Sequence, residues 1–188
     1  MNIGFDLDGV LYRWHESLYN YLVCFKNLKV PYHVFWSDTN KVDGYLTYGE
    51  EYWYNWTRLP NLVTNQGAKS SHVKFLNSLA KNHTIYYITH RPPEVHFSTK
   101  LWVEKSKFPY PENVLFPEMG SDKSFEIRQY EIKLYVDDRD KIVRKLSTLT
   151  DTYLVMQPWN ESGRDGLKCI SDVTDLETVY GMKLEGII

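Results

Sequence analysis

The feature that most constrains the fold is a repeated alternation of two kinds of segment. Short apolar runs with β-branched and aromatic residues recur at Asn2 to Leu7, Thr84 to Thr89, Asn113 to Phe116, Lys133 to Asp137 and Thr152 to Met156. Each reads as a strand buried on both faces. Segments with helical spacing lie between them. Val73, Leu76 and Leu79 recur every third residue, and Val95, Leu101, Trp102 and Lys105 suit a helix that ends before Pro109. Ile142, Val143, Leu146 and Leu149 form an amphipathic stripe after Asp140. Strand–helix–strand order predicts an α/β fold, with a parallel sheet and helices on both faces. At 188 residues the chain suffices for one sizeable core and a small insert.

The alternation breaks once. From about Tyr12 to Gly67 no run reads as a sheet strand. His15 to Asn27 looks helical, Pro31 onward is loop or short helix, and Gly49 to Trp56 suits another helix. Of 29 aromatic residues, 14 lie between Tyr12 and Trp56. The economical reading is a core over 1–14 and 68–188 with a small, mainly helical cap over 15–67. Such a cap would cover the carboxyl ends of the strands, where α/β folds bind ligands. After Asn160 the chain is polar with glycines, which predicts loop and then a helix near Val173 to Tyr180.

Composition narrows the partners. The formal net charge of −2 gives no general pull toward nucleic acid or anionic membrane. Cys24 and Cys169 are far apart and form no C-x-x-C pair, which argues against a disulfide framework or zinc site and fits a reducing compartment. No apolar run approaches the roughly 20 residues of a membrane span. The strand-like run opens at Ile3, so no signal peptide is expected and cytoplasm is the expected location. His15, His33, His72, His83, His90 and His96 show no metal-ligand spacing.

Four segments carry candidate chemistry. Asp6-Leu7-Asp8-Gly9-Val10-Leu11 ends the first run. Strand geometry alone would put Asp6 and Asp8 on one face, and Gly9 allows a tight turn whose amides approach an anion. A metal and a phosphate could meet there, although an acidic turn after a strand has the same appearance. Thr89 ends the second run and offers a hydroxyl to a phosphate oxygen; alone, it reads better as a helix cap. Lys123 near a helix start could neutralise phosphate and carboxylate, or be a solvated surface lysine. Asp137 and Asp138 follow a buried run, where adjacent acids are costly unless paired or bound to a cation such as magnesium. One of them also suits an N-cap.

In this order the four segments resemble the four-motif pattern of the haloacid dehalogenase superfamily. The match covers most of the chain, and the insert stands where that superfamily carries its first-type cap. The resemblance implies a Rossmann-like core and a phosphatase dependent on Mg²⁺. Asp6 would attack phosphorus and form an aspartyl-phosphate. Asp8 would protonate the leaving oxygen and then activate water, with its main-chain carbonyl on magnesium. Thr89 and Lys123 would hold phosphoryl oxygens, joined by His90 and the Gly9 backbone. Asp137 would bind magnesium with Asp138 assisting.

Within the superfamily the chain resembles the 5'(3')-deoxyribonucleotidases and related short phage and bacterial proteins. Ile88-Thr89-His90-Arg91-Pro92, Thr99-Lys100-Leu101-Trp102-Val103, Val136-Asp137-Asp138-Arg139 and Gln157-Pro158-Trp159-Asn160 carry that likeness. His90 departs from it, because serine is commoner there. The implied substrate is a (deoxy)nucleoside monophosphate, and the implied setting a bacterium or phage-infected cell. Tyr45, Tyr48, Tyr52, Trp53, Tyr54 and Trp56 either build the cap's own core or include one or two that stack on a base. Arg13, Trp14, Arg58 and Arg91 are further substrate candidates. The rival readings are another small phosphate ester, a polynucleotide 3'-phosphate, and a non-catalytic binding protein of the same fold. The lack of a basic stripe weighs against a polynucleotide.

Overall fold

The computed structural model describes residues 1–27, 29–37, 64 and 66–179. Its centre is a six-stranded, all-parallel sheet: β1 (Asn2–Phe5), β2 (Thr84–Ile88), β3 (Val114–Leu115), β4 (Ile132–Asp137), β5 (Asp151–Val155) and β6 (Cys169–Ile170). The spatial order is β3-β2-β1-β4-β5-β6. The chain winds outward from β1 through β2 and β3, then returns to the other side of β1 with β4. That reversal opens a crevice at the carboxyl ends of β1 and β4, the switch point of a doubly wound sheet. Asp6 and Asp137 sit at these two ends.

Among the described residues the helices are α1 (Trp14–Lys26), α2 (Tyr32–Ser37), α3 (Ser70–Leu79), α4 (His96–Lys105), α5 (Ser124–Gln129), α6 (Asp140–Leu146) and α7 (Leu176–Val179). Two apolar clusters bury the sheet. The larger takes Ile3, Phe5, Leu134 and Val136 with Leu18 and Leu22 of α1, Phe75 and Leu76 of α3, and Trp102 and Val103 of α4. The smaller takes Ile132 and Tyr135 with Ile127 of α5 and Ile142 and Leu146 of α6. Tyr135 therefore faces away from its neighbours Leu134 and Val136, as a strand's period of two requires. Gly4 stands opposite it on β1. A Cβ at Gly4 would come within 2.8 Å of the Tyr135 ring, so glycine there makes room for the tyrosine.

The expected strands are present with ends shifted by one or two residues, and the third shrinks to Val114–Leu115 behind a 3-10 turn, Pro111–Asn113. β6 was not expected. It lies in the stretch after Asn160 read as loop, and two residues are too few to leave a periodic signal. The helix expected from Val173 instead begins as a 3-10 turn, Val173–Asp175, before α7. Between β1 and β2 the described helices α1 and α2 precede α3, and α2 approaches the turn Pro158–Gly163 after β5. The helix expected over Gly49 to Trp56 lies outside the described residues. No helix of the described residues is long and apolar enough to cross a membrane.

Candidate active site

The crevice is built from the segments that leave the strands. β1 ends at Phe5, so Asp6 and Asp8 do not share a strand face; the chain turns between them. Gly9 (φ +82°) lets this turn close on itself. Its amide donates to the Tyr12 carbonyl at 2.9 Å, and those of Leu11 and Tyr12 donate to Leu7 at 2.9 and 2.7 Å. The Gly9 amide is thus engaged inside the turn. What demands glycine is the neighbour: a Cβ would run into the Asp138 carboxylate.

Lys123 lies at the centre of the buried part of the site. Its Nζ donates to Asp6 Oδ1 at 2.8 Å, Asp137 Oδ2 at 2.8 Å and the Tyr135 hydroxyl at 2.7 Å. The Tyr135 hydroxyl donates in turn to Asp137 Oδ2 at 2.8 Å. The Lys123 backbone holds φ +62°, an uncommon conformation for a lysine, at the entry to α5. Asp137 Oδ1 accepts from the Arg139 amide at 2.9 Å. Asp138 accepts from the Trp159 indole on Oδ2 at 3.0 Å and from Asn160 Nδ2 on its main-chain oxygen at 2.7 Å. Gln157 Nε2 donates to the Gly9 carbonyl at 2.7 Å. The turn after β5 thereby ties the two acidic loops together.

Asp6, Asp137 and Asp138 offer carboxylate oxygens that all lie within 4.8 Å of one another, and all three residues are buried. Burial, opposed by Lys123 and reinforced by Asp137 and Asp8, pushes Asp6 up to about 7. Burial together with Asp137 and Asp6 raises Asp138 well above the usual carboxylate range. Lys123 would be lowered by burial, but Asp137 and Asp6 outweigh it and hold its ammonium charged. Among the described residues Lys123 bonds Asp6 and Asp137 but not Asp138. A hard divalent cation with oxygen preference fits this donor set.

Asp8 does not join that cluster with its side chain. Arg91 grips it with two parallel bonds, Nε to Oδ2 at 2.8 Å and Nη2 to Oδ1 at 2.6 Å. The Thr89 hydroxyl donates to Asp8 Oδ2 at 3.3 Å. The Arg91 guanidinium, expected among the substrate candidates, is wholly covered and engaged with Asp8. His90 meets the Ser121 hydroxyl at 3.2 Å, and burial followed by the charges of Lys123 and Arg139 lowers it to about 4. Arg13 pairs with Glu16 at 2.8 Å on the surface. Trp53 and Trp56 lie outside the described residues, as do Tyr45, Tyr48, Tyr52, Tyr54 and Arg58.

Sequence reasoning passed over Tyr135, Trp159 and His15 as site neighbours. His15 is buried, with its ring centroid 4.6 Å from that of Trp159 and 6.0 Å from that of Trp36. Its Nδ1 finds no hydrogen-bond partner among the described residues, and burial lowers its pKa to about 4. The segment Gln157-Pro158-Trp159-Asn160 was a visible signal, though it carried no role until the fold placed it against Asp138.

No family model matches the chain. A Bacillus cereus protein named "Putative nucleotidase" is 28% identical over 153 residues, which is 78% of this chain and 80% of that protein. The structure superposes on a haloacid dehalogenase family hydrolase from Deinococcus radiodurans R1, solved with bound phosphate and sodium, with a TM-score of 0.64 and 14% identity over 96% of this chain and 95% of that one. It also superposes on a haloacid dehalogenase-like hydrolase from Burkholderia xenovorans LB400, with a TM-score of 0.57 and 13% identity over 96% of each chain. The fold is accordingly the haloacid dehalogenase-like α/β fold. In sequence, the chain is similar to the Bacillus protein over most of its length.

Proposed function

We propose that the chain is a phosphoric monoester hydrolase that uses Asp6 as nucleophile and acts on nucleoside monophosphates, deoxyribonucleotides above all. The observation that carries this reading is the meeting of Asp6, Lys123, Asp137 and Asp138 at the switch point of the sheet, with Asp8 beside them. A carboxylate approaches a phosphate dianion only where positive charge offsets the repulsion. Lys123 supplies one such charge. Asp6, Asp137 and Asp138, with the Asp8 carbonyl, would hold a divalent cation, Mg²⁺ in this proposal. That ion would neutralise phosphoryl oxygen charge and act as a Lewis acid.

The residues of the chain then divide the work. An Asp6 oxygen attacks phosphorus and the bond to the ester oxygen breaks, leaving an aspartyl-phosphate. Asp8 gives its proton to the departing oxygen and later takes one from the attacking water. Thr89 and Lys123 hold phosphoryl oxygens. Arrangement over 1–14 and 68–188 as core and 15–67 as cap would set the aromatic residues of the insert above this point. The aromatic group around His15, next to Trp159, and the Bacillus relative's name support a nucleotide as substrate.

A panel of phosphate esters with Mg²⁺ tests the proposal. Phosphate release from deoxynucleoside monophosphates in preference to sugar phosphates and 3'-phosphorylated oligonucleotides is expected. Release from sugar phosphates alone would overturn the nucleotidase reading, and no release from any ester would overturn the enzyme reading.

A further inference from the structure

We infer that Arg91 is the positioning residue for Asp8: it fixes that carboxylate for proton transfer from behind, without touching substrate. The inference rests on the phosphatase reading above and assigns a new role within the same site. The guanidinium is 0% exposed while the Asp8 side chain is 23% exposed. The acid therefore faces the crevice and the arginine backs it. Nε and Nη2 occupy both carboxylate oxygens, a fork that removes rotation about the Asp8 side chain.

The fork is itself anchored. Nη1 donates to the Thr99 hydroxyl at 3.1 Å, and Thr99 is buried on α4. The guanidinium carbon lies 4.4 Å from the centre of the Tyr12 ring. Tyr12 packs edge-on against Trp102, centroids 4.9 Å apart, and the Trp102 indole donates to the Gln66 carbonyl at 2.6 Å. The helix α4 and the turn after β1 thus fix one side chain.

The bonding also distinguishes the two oxygens of Asp8. Oδ2 accepts from Arg91 Nε and from Thr89. Among the described residues Oδ1 accepts from Arg91 Nη2 alone, so its second lone pair can carry the proton. In the first half-reaction that proton passes from Oδ1 to the ester oxygen as the Asp6–phosphorus bond forms and the phosphorus–ester bond breaks, releasing the alcohol. In the second, water adds to phosphorus and gives one proton back to Oδ1. The Asp6–phosphorus bond breaks, and inorganic phosphate leaves.

The test compares two esters on each variant. A deoxynucleoside 5'-monophosphate has an alkoxide leaving group that needs a proton; p-nitrophenyl phosphate has a phenolate that does not. Lysine carries the charge of Arg91 without its fork. Arg91→Lys is expected to lower kcat/KM for the nucleotide about 100-fold and for the aryl ester less than about tenfold. Thr99→Val should shift the ratio in the same direction by about threefold, as the loss of one anchoring bond implies. In an Asp8→Asn background, Arg91→Lys should change the nucleotide rate by less than about twofold, because the two residues act as one unit. The ratio of the two esters does not depend on the fraction of folded protein. Equal losses on both esters, or a raised KM with kcat unchanged, would overturn the inference. Failure of the unaltered protein to turn over either ester would be a separate result, removing the phosphatase reading and this inference with it.

Discussion

The site has a floor and a rim, and the same residue type behaves differently in each. On the floor, Asp6, Asp137, Tyr135 and Lys123 are buried and joined by bonds of 2.7–2.8 Å. On the rim, Asp8 is partly open to solvent, with Arg91 behind it and Thr89 beside it. The two aspartates are two residues apart in sequence. Burial raises Asp6, and the Lys123 ammonium beside it is shared with Asp137. Asp8 is held by the guanidinium fork of Arg91. In the proposed mechanism this difference in environment would divide a nucleophile from a proton carrier, as it does wherever two carboxyl groups take separate roles in one site.

The largest effect should follow from altering Asp6, the proposed nucleophile. Asp6→Asn is expected to lower Mg²⁺-dependent phosphate release by about 10⁴-fold or more while leaving the far-ultraviolet circular dichroism unchanged. Undiminished release by that variant would sink the mechanism. Next comes the cation of the floor. Lys123→Met removes the ammonium bonded to the buried Asp6 and Asp137, and a loss of about 3–5 kcal/mol in unfolding free energy is expected in urea titrations without metal. Added Mg²⁺ should restore part of it. A variant as stable as the parent would show that the floor does not depend on its lysine.

A pH series separates floor from rim without mutation. The folded value of Asp6, about 7, lies above its ordinary 3.8, so its protonated form favours folding. That contribution is complete below about pH 4 and is lost as pH rises through about 7. Asp138, also raised by burial, acts in the same direction. His15 and His90, lowered to about 4 chiefly by burial, act the opposite way, but only below their ordinary 6.5. Among the described residues the two raised acids dominate between pH 6.5 and 8.5. The metal-free protein should therefore melt about 5 °C lower at pH 8.5 than at pH 6.5, a shift that corresponds to one or two kcal/mol. Mg²⁺ should reduce the difference. A melting temperature that rises over this interval would contradict the buried, cation-poor floor. The smallest effect is expected at the outer support. Trp159→Phe keeps a ring against His15 and deletes the indole bond to Asp138, and a few-fold rise in the Mg²⁺ needed for half-maximal binding by calorimetry should result. Unchanged binding would remove Trp159 from the site.

Much of this was legible in order of sequence because the signals are local. Strands buried on both faces leave continuous apolar runs, so β1, β2, β4 and β5 stand out, and the polar residues that end them mark the crevice. Asp6, Thr89 and Asp137 need only the end of a strand to be placed. β6 was not legible, since two residues have no period. Neither was the engagement of the Gly9 amide, which depends on how a turn closes rather than on which residues it contains.

The sequence by itself thus determined the alternating α/β plan, the break after the first strand and the carboxylates, threonine and lysine at the strand ends. Only the tertiary structure decided who faces whom. It carried Lys123 across 117 residues onto Asp6, turned Arg91 away from solvent onto Asp8, and brought Trp159 against Asp138. The physical reason is that a residue's period reports which face it occupies, while a charge finds its partner through distances set by the packing of several elements at once.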